Sequence, residues 1–249
     1  MTEEMFDATC AARDAFYASV GHVEPDVIAH AINPAFMGGP MWPALRQAFS
    51  VIRRGSNTIV ASNGLSDPFD DIDEPNTGFG IEIYAETQDL IGGEVSQTDL
   101  FQLVYATAQQ AACSGRMAEF VRMHGVITMG LYADDCGLHA YQNEAGAVGI
   151  MIGVEHPQIS KTVEFPGGEI IFAAVQILTP DELAYVVEAR AEGRQILHGK
   201  LKAAGIHHML TPGRASLLAS PMPRPDTTPE STRRDSKKPW WKVWSTGRR

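Results

Sequence analysis

The chain has 249 residues, a formal net charge of −10, 44% hydrophobic residues and 20% charged residues. That length suits one large domain or two small ones with a sizeable core, and the composition is that of a globular protein. The 30 acids against 20 Lys and Arg exclude a nucleic-acid-binding domain, which needs a basic face to neutralise phosphates.

The charge is unevenly spread. Residues 222–249 hold eight bases and three acids, so the tail carries +5 and the body −15. An acidic body with a short basic tail reads as two objects. Three scattered cysteines, Cys10, Cys113 and Cys136, are too few for a disulfide framework and point to a reducing, cytoplasmic setting. The start Met1-Thr2-Glu3-Glu4 has no basic or apolar leader region, so no secretory signal is expected. The uncharged apolar stretch from Leu100 to Gly115 is too short to span a bilayer.

In chain order, residues 5–20 have rough helical spacing (Phe6, Cys10, Ala11, Phe16, Tyr17) and stop at Gly21. Residues 34–43 are rich in Gly and Pro and read as a loop, with Phe36, Met41 and Trp42 apolar enough to pack. Thr58-Ile59-Val60 is a short strand, and 63–78 is a long structured loop dense in Gly, Pro, Asn and Asp. Residues 79–87 alternate strictly. They predict a half-buried strand with Ile81, Ile83 and Ala85 inward and Glu82, Tyr84 and Glu86 on the other face. Ser96-Gln97-Thr98-Asp99 resembles a capping box for a helix running to Gly115, followed by a short helix or turn over 117–123. Strands follow at 126–132, 147–154, 161–165 and 169–178, with Pro166-Gly167-Gly168 as a hairpin turn. Thr179, Pro180 and Glu182 then open a helix with Leu183, Val186 and Val187 as its buried face. An interruption is expected at Gly193 and an end at Gly205. Residues 212–238 read as disordered on their Pro, Ser, Thr and charge content.

Three chemical readings can be weighed. Gly64-Leu65-Ser66-Asp67-Pro68 begins like a nucleophile elbow but lacks the final Gly, so Ser66 is better read as bracing a turn. Cys136 and His139 form half of a zinc pattern. His207 and His208 could supply the rest, yet the spacing does not require it. Asp67, Asp70, Asp71, Asp73 and Glu74 lack the Gly bend and later Glu of a calcium loop. They read as a solvated acidic loop or as a docking edge for a basic segment. The expectation is therefore no catalytic residue, no metal and no cofactor. The tail Lys237-Lys238-Pro239-Trp240-Trp241-Lys242-Val243-Trp244 holds three of the four tryptophans. Interleaved Trp and Lys suit a membrane interface, a pocket on a partner, or the protein's own acidic body.

The run Ser62-Asn63-Gly64-Leu65-Ser66-Asp67-Pro68-Phe69, the strand Asn76-Thr77-Gly78-Phe79-Gly80-Ile81-Glu82-Ile83 and the turn Phe165-Pro166-Gly167-Gly168 resemble Suppressor of fused domain proteins. The likeness covers about residues 30–205 and is closest to the single-domain bacterial type. It implies an α/β (α+β) domain, a mixed sheet flanked by helices, which is expected over 1–211; the composition makes 212–249 the disordered tail. It also implies binding without catalysis. Animal members hold transcription factors of the Gli type by adding a peptide strand beside the sheet, and they carry a second domain that this sequence is expected to lack. Single-domain relatives act in part as immunity proteins that neutralise toxins. By similarity, partner contacts fall at Asp67, Phe69, Asp70 and Asp71. Membrane or partner contacts of the tail would fall at Trp240, Trp241 and Trp244. The alternatives are a membrane-peripheral adaptor using those tryptophans, and a hydrolase or metal enzyme using Ser66 or Cys136 and His139.

Overall fold

Ile81–Thr87 forms the strand at the heart of the sheet, and both of its faces are buried, so the predicted half-buried strand is fully enclosed. The computed structural model describes residues 2–218, and the tail with Trp240, Trp241 and Trp244 lies outside the described residues. In chain order the helices are α1 (Glu3–Val20), α2 (Asp99–Ser114), α3 (Met117–His124), α4 (Ala133–Cys136) and α5 (Pro180–Ala203). The strands are β1 (His22–Val23), β2 (Ile28–Ala29), β3 (Ala48–Arg54), β4 (Asn57–Asn63), β5 (Ile81–Thr87), β6 (Ile127–Tyr132), β7 (Ala147–Val154), β8 (Thr162–Phe165) and β9 (Gly168–Leu178). They make one nine-stranded sheet in the order β1-β3-β4-β5-β9-β7-β6, with β2 on β3 and β8 on β9. Only the β5–β9 pair is parallel among the described strands, so the sheet is mixed as expected.

Alternation along the central strands sorts the layers. Ile81, Ile83, Ala85, Ile171, Ala173 and Val175 join Leu103, Val104, Ala108, Ala118 and Val121 in the main core, which puts α2 and α3 on one face. On the other face Phe172 stacks on Tyr84 at 4.0 Å and meets Phe16 edge-on at 5.0 Å, so α1 covers the side that carries Glu82 and Glu86. Gly149 of β7 lies so close to Leu183 that an added Cβ would come within 2.9 Å, which seats α5 on that same side. No helix of the described residues is long and apolar enough to cross a membrane.

Local signals set most boundaries. Thr98 caps α2 by accepting the Phe101 N–H at 3.3 Å, and Gly115 ends it in the left-handed region. Ser96 and Gln97 form a separate short turn. Glu182 closes the capping box of α5 by accepting the Thr179 N–H at 3.0 Å. Two details of α5 differ from expectation. Its break falls at Arg190, where φ is 55°, and Gly193 instead permits close packing, since a Cβ there would lie 2.6 Å from that of Ala189. Val187 is 51% exposed. Beyond α5, Arg214 reaches back to the buried Glu182 carboxylate at 2.8 Å and to the Ile177 carbonyl at 3.0 Å. The compact unit therefore extends to Leu217.

Candidate partner-binding surface

The loop between β4 and β5 is built on a buried charge network. Arg13 of α1, Asp67 and Glu82 have fully buried side chains. Arg13 Nη1 lies 2.7 Å from Asp67 Oδ1 and 3.3 Å from Glu82 Oε1. Arg46 adds a fork to Asp67, donating from Nε and Nη2 at 3.1 Å each. Two guanidiniums thus face two carboxylates, and such planar pairs are among the strongest hydrogen-bonded contacts. Burial alone would lower the Arg13 pKa, but the charges of Glu82 and Asp67 outweigh it and hold the guanidinium firmly protonated.

Glu82 organises the loop backbone. Its Oε1 accepts from the Gly64 N–H (3.1 Å), the Ser66 N–H (3.0 Å) and the Ser66 hydroxyl (2.6 Å), and its Oε2 accepts from the Ser62 hydroxyl. The Tyr17 hydroxyl donates to the Ser62 carbonyl, which locks α1 to the same strand. The backbone needs glycine at two points here. Gly64 has φ +144° with a Cβ position 2.3 Å from the Arg46 carbonyl oxygen, and Gly78 has φ +54° with one 2.2 Å from that of Asp67. Gly78→Ala is therefore expected to cost about 2–4 kcal/mol by strain and overlap, read as a lower urea midpoint with an unchanged m-value.

Beyond Asp67 the chain forms a clasped acidic loop. Asn76 Oδ1 accepts the Phe69 N–H at 2.9 Å and the Gly78 N–H at 3.2 Å, closing the loop at its base. Phe69 packs edge-on against Phe79 at 5.4 Å. Asp70, Asp71, Asp73 and Glu74 are exposed around the closed base. Beside this loop lies an apolar surface. Val27, Ile32, Phe36, Met37, Met41 and Leu45 are exposed, Phe36 and Met37 at 73% and 77%. Val27, Pro34, Leu45 and Arg46 line a depression of about 250 Å³. Arg46 lines the depression and also holds Asp67, so the depression and the base of the acidic loop share that side chain.

The structure sorts the residues singled out from sequence. Asp70 and Asp71 reach solvent and Phe69 is half-buried, but Asp67 is sealed between two arginines and presents no carboxylate to the surface. Ser66 is fully buried, and its hydroxyl is committed to Glu82, so it has no face open to a substrate. Cys136 is buried in the core beside α2, and burial pushes its thiol pKa up. His139 is exposed, with Nδ1 3.8 Å from Asp134. His207 and His208 lie instead in the segment after α5, where the two rings pack against each other at 4.7 Å. Phe36 and Met41, expected to pack, stand out in solvent, and Trp42 alone of that group is buried. Arg13 was not legible as a site residue. The buried face of α1 runs Thr9, Arg13, Tyr17, and only the four-residue spacing hints at it.

No protein-family model matches the chain, and no curated protein matches it in sequence. Among solved structures it is similar to Drosophila Suppressor of Fused, with a TM-score of 0.50 and 13% identity over 88% of this chain and 54% of that one. It spans about half the length of that protein. It is also similar to the chain described as the Sufu-Fu complex crystal structure, with a TM-score of 0.49 and 14% identity over 86% of this chain and 92% of that one. At such identities what the Drosophila likeness establishes is the fold, a Suppressor of fused-like mixed sheet flanked by helices.

Proposed function

We propose that the chain is a non-catalytic protein-binding module that sequesters or neutralises a protein partner, as an immunity protein or a regulatory adaptor does. The observation that carries this reading is the exposed apolar depression beside a clasped acidic loop. Exposed apolar groups rimmed by polar ones are characteristic of interaction surfaces. Val27, Phe36, Met37 and Leu45 would anchor an apolar stretch of the partner, and Phe69, Asp70 and Asp71 would meet a basic flank. Asp67 holds the loop in shape from beneath. Three cysteines outside any disulfide suit a reducing cytoplasm.

Acids on a rim act more on encounter rate than on residence time. With a purified partner, reversing Asp70 and Asp71 to Lys together is expected to slow association about tenfold at low salt. The salt dependence of the on-rate should flatten as well. Stopped-flow association at several ionic strengths measures both, and unchanged on-rates and slopes would remove the acidic loop from the interface.

A further inference from the structure

Glu86 lies four residues beyond Glu82 on the same face of β5 and is equally buried, yet it belongs to a different constellation. Its Oε1 accepts from Asn57 Nδ2 at 2.7 Å and from Arg54 Nη1 at 3.3 Å. Its Oε2 faces His156 Nε2 at 2.8 Å. His156 follows β7, and its side chain is 1% exposed. The Gln158 N–H donates to His156 Nδ1 at 3.0 Å, which assigns the ring proton to Nε2. A third group arrives from the far end of the chain. Met209 pairs with Glu86 in a parallel bridge, and the Leu210 N–H donates to the Glu86 carbonyl at 2.7 Å. That pairing brings the His208 ring edge-on to His156, with centroids 4.4 Å apart. His208 Nδ1 is buried and has no hydrogen-bond partner.

We propose that Glu86, His156 and His208 form a binding site for a transition-metal dication, with Zn²⁺ the best match to the ligand set. Their ligand atoms all lie within 4.8 Å of one another. Two imidazoles and one carboxylate form a known three-ligand zinc set that leaves a fourth position for water. Ligands around a tetrahedral zinc stand about 3.3 Å apart, so small side-chain shifts close the site. The surroundings fit. Asn57 and Arg54 hold Oε1 of Glu86 and leave Oε2 for the ion, the outer-shell bracing that orients a ligating carboxylate. The lone Nδ1 of His208, a costly buried orphan otherwise, gains a role. His208 is half-buried, so the ion has an entry path from its side.

Two features set the character of the site. Arg54 Nη1 is 3.3 Å from His156 Nε2, and its charge opposes a dication, so affinity falls below that of a dedicated structural zinc site. Metal at Nε2 also displaces the ring proton. The neutral ring then carries its proton on Nδ1, against the Gln158 N–H, and that hydrogen bond opens. Binding therefore ties β5 to the segment after α5 while it releases the loop at Gln158. The site lies apart from the acidic loop and does not depend on the proposed function.

The test is titration of the metal-free full-length protein with Zn²⁺ by calorimetry and with Co²⁺ by visible absorption. One equivalent is expected to bind, with the strong ligand-field band of four-coordinate Co²⁺ and faster exchange of the Gln158 amide. His208→Ala breaks no hydrogen bond of its Nδ1 and should weaken binding about a hundredfold or more, since even outer-shell losses cost 10–100-fold. His208→Gln, which keeps more of the side-chain volume, should weaken it too. His139→Ala should leave it unchanged. Circular dichroism checks that each variant is folded. Absence of a saturable single site overturns the proposal, as does parental affinity in folded His208→Ala and His208→Gln.

Discussion

Replacing Arg13 with Met is expected to lower stability by about 3–5 kcal/mol, the usual cost of stripping one partner from a buried ion pair. The loss arises because Asp67 and Glu82 both have fully buried side chains, and without Arg13 Asp67 keeps the partly exposed Arg46 while Glu82 keeps no ion-pair partner among the described residues. A Met side chain fills much of the space but returns no charge and no hydrogen bond. For a unit of this size the melting temperature should fall by on the order of ten degrees. Adding Asp67→Asn and Glu82→Gln to Arg13→Met should recover part of the loss, because the penalty is uncompensated charge rather than missing volume. Urea unfolding of the single and triple variants measures this. A triple variant no more stable than the single one would show that the network acts through packing.

The second large effect is expected at Trp42. Trp42→Ala should cost about 3–5 kcal/mol as a large-to-small change in a packed site. Trp42 is 1% exposed, meets Phe49 edge-on at 5.7 Å and lies against the backbone of Gly64. It is the buried anchor of a segment whose neighbours Met41 and Phe36 stand in solvent. Its loss should therefore free residues 34–46 more than the sheet, so amide exchange there should rise well above that of β5 and β9. Trp42→Phe should keep most of both. Uniform loss of protection across the sheet would contradict the local role.

Much of the fold was legible in the sequence because its signals are local. β7 runs over the predicted 147–154, and β8, β9 and α5 lie within a residue or two of their expected limits. Alternation, a Pro-Gly-Gly turn and a capping box do not depend on distant partners. β3 was missed, although Gly55-Ser56 between Arg54 and Asn57 is a two-residue hairpin signal. The site was less legible. Glu82 and Glu86 alternate with apolar residues and so read as a solvent face. They are buried because α1 supplies Arg13 from 69 residues away and β3 and the chain after β7 supply Arg54 and His156. Charge pairing across such distances leaves no periodic trace. The exposed Phe36 and Met41 mislead in the opposite direction, since a Gly- and Pro-rich segment with large apolar residues looks the same in sequence whether it packs inward or waits for a partner. His208 entered the zinc reading beside Cys136 and His139, whereas the fold brings it to His156 and Glu86.

In the proposed function a protein partner is held at the apolar depression and its acidic rim. Photo-crosslinking in the native cell reads this out, with a photoreactive residue placed singly at Met37, Asp71 or Val187. Val187 is exposed on α5, which packs on β6, β7 and β9, away from β3 and the depression. Met37 and Asp71 are expected to crosslink to the same protein, and Val187 is not. Crosslinks of that protein from Val187 alone, or in equal yield from all three positions, would contradict it.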